Sequence, residues 1–225
     1  FNPAQIDGYT ANDPAQFSWF VKKAIPSLTG KKLPKSIKKN LSESIKKMPV
    51  DSKLFIVGIM LSRNTSDIRM SVQFKDPSKI PSYLKEIGWT DADDTFETLI
   101  EDIVSLDISR VVLDFDVGEK IGRKIAIECS FAPTYFHEEE RWDELLDYLV
   151  ERGIVSPEKK DELLSFQGID SSVMFIDQRQ GKSNSNTIVR YITHIKIVYN
   201  PDEKKLKAKA YMAIRHFGTF SKMDS

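Results

Sequence analysis

Three stretches of the chain, 53–74, 110–131 and 188–215, each hold two strand-like runs joined by turn-forming residues. Side chains that alternate apolar and polar have the period of a β-strand, and runs joined by tight turns must pair antiparallel. In the first stretch an unbroken apolar run, "LFIVGIML", precedes Ile68, Met70, Val72 and Phe74, which alternate with Arg69, Ser71 and Gln73. In the second, Val111, Leu113, Phe115, Ile125, Ile127 and Cys129 alternate with Asp114, Asp116, Lys124, Glu128 and Ser130 around a turn at Gly118 to Gly122. In the third, Ile195, Ile197, Ala208, Ala210, Met212 and Ile214 oppose Arg190, His194, Lys196, Lys207, Lys209, Tyr211 and Arg215, with "NPDEKK" at the tip. A sheet built from such ribbons has one apolar face that needs a cover and one polar face.

Helical patterns lie between the ribbons and supply that cover. Residues 12–25 open with Asp13 and Pro14, a cap and a first-position proline, and Pro26 predicts their end. Leu33, Ile37, Leu41, Ile45 and Met48 recur every three or four residues, the spacing of an amphipathic helix. Further helices are predicted over 77–89, 90–106, 138–153 and 156–166, and the polar stretch 177–186 as a surface loop. The expected fold is α+β: an antiparallel sheet of three hairpins, flat or curled toward a barrel, with helices on one face in αββα-like repeats. All 225 residues are expected to form one domain, helical over 1–50 and built of hairpin and helix units over 51–225.

Composition bounds the function. The chain has 33 basic and 33 acidic residues, and no apolar run near the length of about 20 that a membrane helix needs. A single cysteine, Cys129, leaves no disulfide within the chain and no cysteine-based zinc site, which fits a reducing cytoplasm. Cys129 sits on the apolar side of its strand and reads as a packed thiol. The segment 31–47 carries seven lysines and one glutamate, but it lacks interleaved aromatics and its apolar stripe is needed for a core, so nucleic acid and membrane are disfavoured as partners.

The polar sheet face is the candidate site. Lysine and arginine crowded on one concave face repel one another unless an anion lies among them, and each contact to that anion is a charge-assisted hydrogen bond. Repeated αββα units with such a face resemble the ABBA prenyltransferases, and the similarity is strongest in "IKIVYNPDEKKLKAKAYMAI" (195–214) and "DFDVGEKIGRKIAIECSF" (114–131). That family carries five such units closed into a barrel, and this chain shows three. The resemblance implies a small transferase that holds an anionic cosubstrate such as a prenyl diphosphate and alkylates a peptide or aromatic acceptor. It implies that Arg69, Lys124, Lys196, Lys209 and Arg215 hold the diphosphate, with His194 on the same face. Tyr211 would then shield the cation, and Glu128 or Asp114 would take the acceptor's proton, with Mg²⁺ as an admissible companion. The alternative is a non-catalytic binding or accessory protein that recognises a polypeptide or small ligand through the same face.

Other signals favour structural roles. "DDTFE" (93–97) reads as the acidic first turn of a helix, not an aspartate-rich Mg²⁺ site. "HEEER" (137–141) has no second histidine four residues on. Gly118 and Gly122 join two strands and lack the helix N-terminus of a phosphate loop. A mixed metal site of His194, Asp114 and Glu128 would need neighbouring strands to align them.

Overall fold

The structure, a computed structural model, describes residues 18–60, 66–132, 139–177 and 182–222. It is a mixed α+β protein with an antiparallel sheet and packed helices. A π-helical turn, Phe20–Ala24, runs into α1 (Ile25–Thr29), followed by α2 (Lys35–Lys46), β1 (Lys53–Ile59), β2 (Ile68–Phe74), α3 (Ile80–Glu86) and α4 (Asp94–Ser105). Then come β3 (Arg110–Val117), β4 (Ile125–Ser130), α5 (Arg141–Glu151), α6 (Pro157–Phe166), β5 (Gly168–Asp177), β6 (Lys182–Asn200) and β7 (Lys205–Lys222). The seven strands are ordered β1–β2–β3–β4–β6–β5, with β7 also pairing β6, so the path is open. Contacts divide the chain into two compact units: the described residues up to Cys129 with Ile197–Lys207, and Ser130–Lys196 with the described residues from Ala208.

In the first unit, β2 and β3 pair so that Met70 faces Phe115, Val72 faces Leu113 and Phe74 faces Val111. All six are at most 3 % exposed, as are Ile125, Ile127 and Cys129, so the predicted apolar face is the core. α2 packs on β3, burying Ile37, Leu41 and Ile45. Tyr83 of α3 packs its ring on Phe74 and Phe115, and its hydroxyl donates to the Ser44 carbonyl at 2.9 Å. Burial pushes that phenol's pKa upward, so it stays protonated as a donor. A second aromatic group joins Trp89, Phe96 of α4 and Tyr199 at centroid distances of 5.0–6.2 Å.

In the second unit, Trp142, Leu145, Leu146 and Leu149 of α5 are buried. Trp142 meets Phe131 edge-on at 4.7 Å, and the Arg141 guanidinium lies over the Phe131 ring, 4.7 Å from its centroid. α6 starts at the Ser156 cap, with Pro157 in its first turn, as its sequence predicts.

Four expectations differ from the structure. Pro26 does not end its helix: the π-helical turn Phe20–Ala24 runs directly into α1 with Ala24 and Ile25 in helical conformation, and the end is Gly30, in the left-handed region at φ 68°. Residues 12–17 of that predicted helix lie outside the described residues, as do 178–181 of the predicted loop. The rest of that loop is not loop: Lys182–Asn186 belongs to β6 and pairs with β5, so the sheet has more than three hairpins. Finally, Met212 and Ile214 are not in the core; they are 48 % and 66 % exposed, because β7 extends along β6 with both of its faces largely in water.

Candidate functional site

The predicted site residues divide between the units. In the first, Arg69 on β2 and Asp116 on β3 are directly opposed and joined by two N–H···O bonds of 2.9 Å each. Such a bidentate pair satisfies the guanidinium fork with an internal carboxylate. Asp114 faces Ser71 across the same two strands, and both are buried at 4 % and 5 % exposure. Glu128 on β4 is half-buried and acts electrostatically on Arg110, whose pKa is lowered by burial and raised in part by that carboxylate. Lys124 is exposed and acts on Glu203, a carboxylate held below its usual range chiefly by Lys207.

In the second unit, His194 of β6 and Tyr211 of β7 stack with ring centroids 4.3 Å apart and planes 14° from parallel. Thr193 donates its hydroxyl to the Tyr211 carbonyl at 2.9 Å. Lys196 is buried, whereas Lys209 and Arg215 are exposed. The structure brings His194 and Tyr211 into contact, while Arg69 and Lys124 belong to the first unit and Lys196, Lys209 and Arg215 to the second.

The glycine turn is occupied by structure. The Gly118 and Glu119 carbonyls accept from Asn40 of α2 at 3.0 and 2.9 Å. A Cβ on Gly122 would meet the Asp116 backbone oxygen and Cβ at 3.2 Å, so close strand approach explains that glycine. Asp93 caps α4 by accepting from the Thr95 and Phe96 backbone N–H groups, which settles "DDTFE" as a helix start. Cys129 is fully buried, and burial pushes its thiol up to about 12. His137 lies outside the described residues, and among the described residues no three His, Cys, Asp or Glu side chains group as a metal site.

The second unit also holds a groove. It has a volume of about 470 Å³ and is lined by Leu146 and Leu149 of α5, Leu163 and Phe166 of α6, Ile195 of β6, and Ala208, Ala210 and Met212 of β7, with Ile154 and Val155 at the α5–α6 connection. Lys159 and Glu162 are its two charged lining residues. Its cause is the way α6 is held. Lys160 reaches back to Asp143 at 2.8 Å and to Asp147 on α5. At the other end the Phe166 carbonyl accepts from Arg190 of β6 at 3.0 Å, and Arg190 also pairs with Asp170. Polar contacts thus fix both ends of α6, while none of its side chains is fully buried. Leu163 and Phe166 stay half-exposed over the sheet.

A weak signal for the groove is present in the sequence. The small residues Ala208 and Ala210 stand on the apolar side of β7 where its neighbours carry long side chains, and α6 has no continuous apolar stripe. Comparison with protein-family models, with curated proteins and with solved structures finds no match to this chain.

Proposed function

We propose that this protein is a non-catalytic binding module that takes up a small, largely apolar molecule in the α5–α6/β6–β7 groove. The observation that carries this reading is the groove itself: about 470 Å³ of space walled mostly by aliphatic and aromatic side chains, with Lys159 and Glu162 as the polar side chains among its described lining residues. Ligand pockets have roughly 300–1,000 Å³ and this kind of lining, with few polar groups to orient the guest. Filling it would give Leu163 and Phe166 the apolar contacts that the sheet alone does not provide, a gain of roughly 25 cal/mol per Å² removed from water. Lys159 at the rim suits a guest with an anionic or hydrogen-bonding end.

The test uses 1-anilinonaphthalene-8-sulfonate, an apolar ring system with one anionic group. The full chain should bind it saturably at one site. Ala210→Trp, which fills the groove, should weaken binding at least tenfold, and Lys159→Glu severalfold, with near-ultraviolet circular dichroism unchanged. Non-saturating uptake, or equal binding by Ala210→Trp, would overturn the reading.

A second reading is the anion-dependent alkyl transfer implied by the prenyltransferase resemblance. The His194–Tyr211 stack favours it, since it sets an aromatic face in the same strand as Lys209 and Arg215. The order helix–strand–strand–helix in α2–β1–β2–α3 and α4–β3–β4–α5 supports an αββα plan. Ile195, Ala210 and Met212 alternate with His194, Lys196, Lys209 and Tyr211, so the groove and these cations occupy opposite faces. Inorganic pyrophosphate with Mg²⁺ should then raise the melting temperature, and Lys209→Glu should abolish the rise; no rise at saturating pyrophosphate counts against it.

A further inference from the structure

β7 is an 18-residue strand that pairs, among the described residues, with β6 alone. Its other edge therefore presents a row of backbone N–H and C=O groups, the template onto which another strand can be added. Natural edge strands are blunted by shortness, proline, bulges or inward charges. Between Lys209 and Arg215 this edge lacks charge and proline: the run Ala-Tyr-Met-Ala-Ile (210–214) is uncharged and contains neither proline nor glycine. It is also exposed, with Tyr211 at 42 %, Met212 at 48 % and Ile214 at 66 %.

The side chains along the edge restrict what can pair there. Lys209, Tyr211, Ala213 and Arg215 lie on one face of β7, and Ala210, Met212 and Ile214 lie on the other. The cations thus bracket the window, six residues apart and on one side, while the opposite side is apolar. A second copy of the chain paired in the register centred on Met212 fits poorly. A two-fold antiparallel pair sets residues of one face opposite residues of the same face. Centred on Met212, it would put Lys209 against Arg215, and like charges directly opposite are destabilising. An incoming strand with carboxylates at those two rungs makes the opposite contact.

We propose that the free edge of β7 is a strand-addition site for an extended acidic peptide. Its recognition element is two carboxylates six residues apart on one face, with β-branched apolar residues on the other. Backbone hydrogen bonds to the 210–214 edge supply affinity. Lys209 and Arg215 set the register, and Ala210, Met212 and Ile214 receive the apolar side chains. The site is independent of what occupies the groove, although Ala210 and Met212 border both.

Fluorescence anisotropy with the full chain and three labelled peptides tests this. GEVTVTVEG carries the proposed pattern, GKVTVTVKG reverses its charges, and GEPTPTPEG keeps the charges but cannot pair as a strand. The first should bind at least tenfold more tightly than either of the others. The double variant Lys209→Glu with Arg215→Glu, whose changes lie at exposed positions, should invert the order of the first two. Equal binding of the first two peptides, or of the proline peptide and the first, would overturn the proposal. So would sedimentation showing a stable dimer that takes up no peptide.

Discussion

Arg69 on β2 and Asp116 on β3 are Cα partners across two antiparallel strands and share two hydrogen bonds of 2.9 Å. Two parallel N–H···O bonds hold that guanidinium in one plane against the carboxylate. A double-mutant cycle with Arg69→Ala and Asp116→Ala, read by urea denaturation, should give a coupling of about 1 kcal/mol, the scale of a well-aligned, partly exposed pair. Additive effects of the two substitutions would show that the pair contributes nothing.

The two faces of the sheet should respond differently to truncation. Leu113 is fully buried, and Leu113→Ala should cost about 2–5 kcal/mol. Ile214 is 66 % exposed, and Ile214→Ala should change stability by no more than about 0.5 kcal/mol. Comparable losses at both positions would place β7 in a core.

Asp93 gives the stability a defined acid limb. Burial raises its pKa, but the Tyr199 hydroxyl and the Phe96 and Thr95 backbone N–H groups outweigh that, and the net shift is downward from 3.8. A carboxylate depressed in the folded state contributes fully above its unfolded pKa and loses that contribution as pH falls through the folded value. Asp93→Asn retains a capping oxygen and removes the charge. Thermal denaturation should therefore show a flatter decline below about pH 4 in the variant than in the wild type, with near-equal midpoints when both are compared under fully protonated conditions. An unchanged acid limb would remove Asp93 from the account.

Cys129 should be inert until the protein opens. With its thiol pushed up to about 12 by burial, and the Glu128 carboxylate adding to the shift, roughly one thiol in ten thousand is ionised at pH 8. Labelling by 5,5′-dithiobis(2-nitrobenzoate) should be slow in buffer and fast in urea, with its rate following the unfolding transition. Rapid labelling of the folded protein would contradict the burial.

Much of the fold is legible in the residues themselves. Leu113 and Phe115 announce a core face by alternation, Ser156 announces a helix start, and Gly30, Gly88 and Gly153 adopt positive φ at helix ends; α4 starts only at the Asp93 cap, inside the predicted 90–106. What escapes is decided by pairing. Ser183, Asn184, Ser185 and Asn186 have low strand propensity and become strand only because β5 lies beside them. Met212 and Ile214 alternate like core residues, yet nothing in a local pattern says whether a helix will cover them. Arg69 and Asp116 reveal their partnership only once β2 and β3 are in register. The groove escapes for the same reason: it is the space left when Lys160 and Arg190 fix α6, and side chains record contacts more readily than gaps.

Uptake of an apolar guest by the α5–α6/β6–β7 groove can be followed at the methyl groups that line it. Methyl-resolved NMR of the full chain, titrated with 1-anilinonaphthalene-8-sulfonate, tests it most directly. Saturating shifts are expected, confined to Leu146, Leu149, Leu163, Ile195 and Met212, with Leu113, Ile125 and Ile127 unmoved. Shifts that fail to saturate, or that appear first in the core of the other unit, would contradict it.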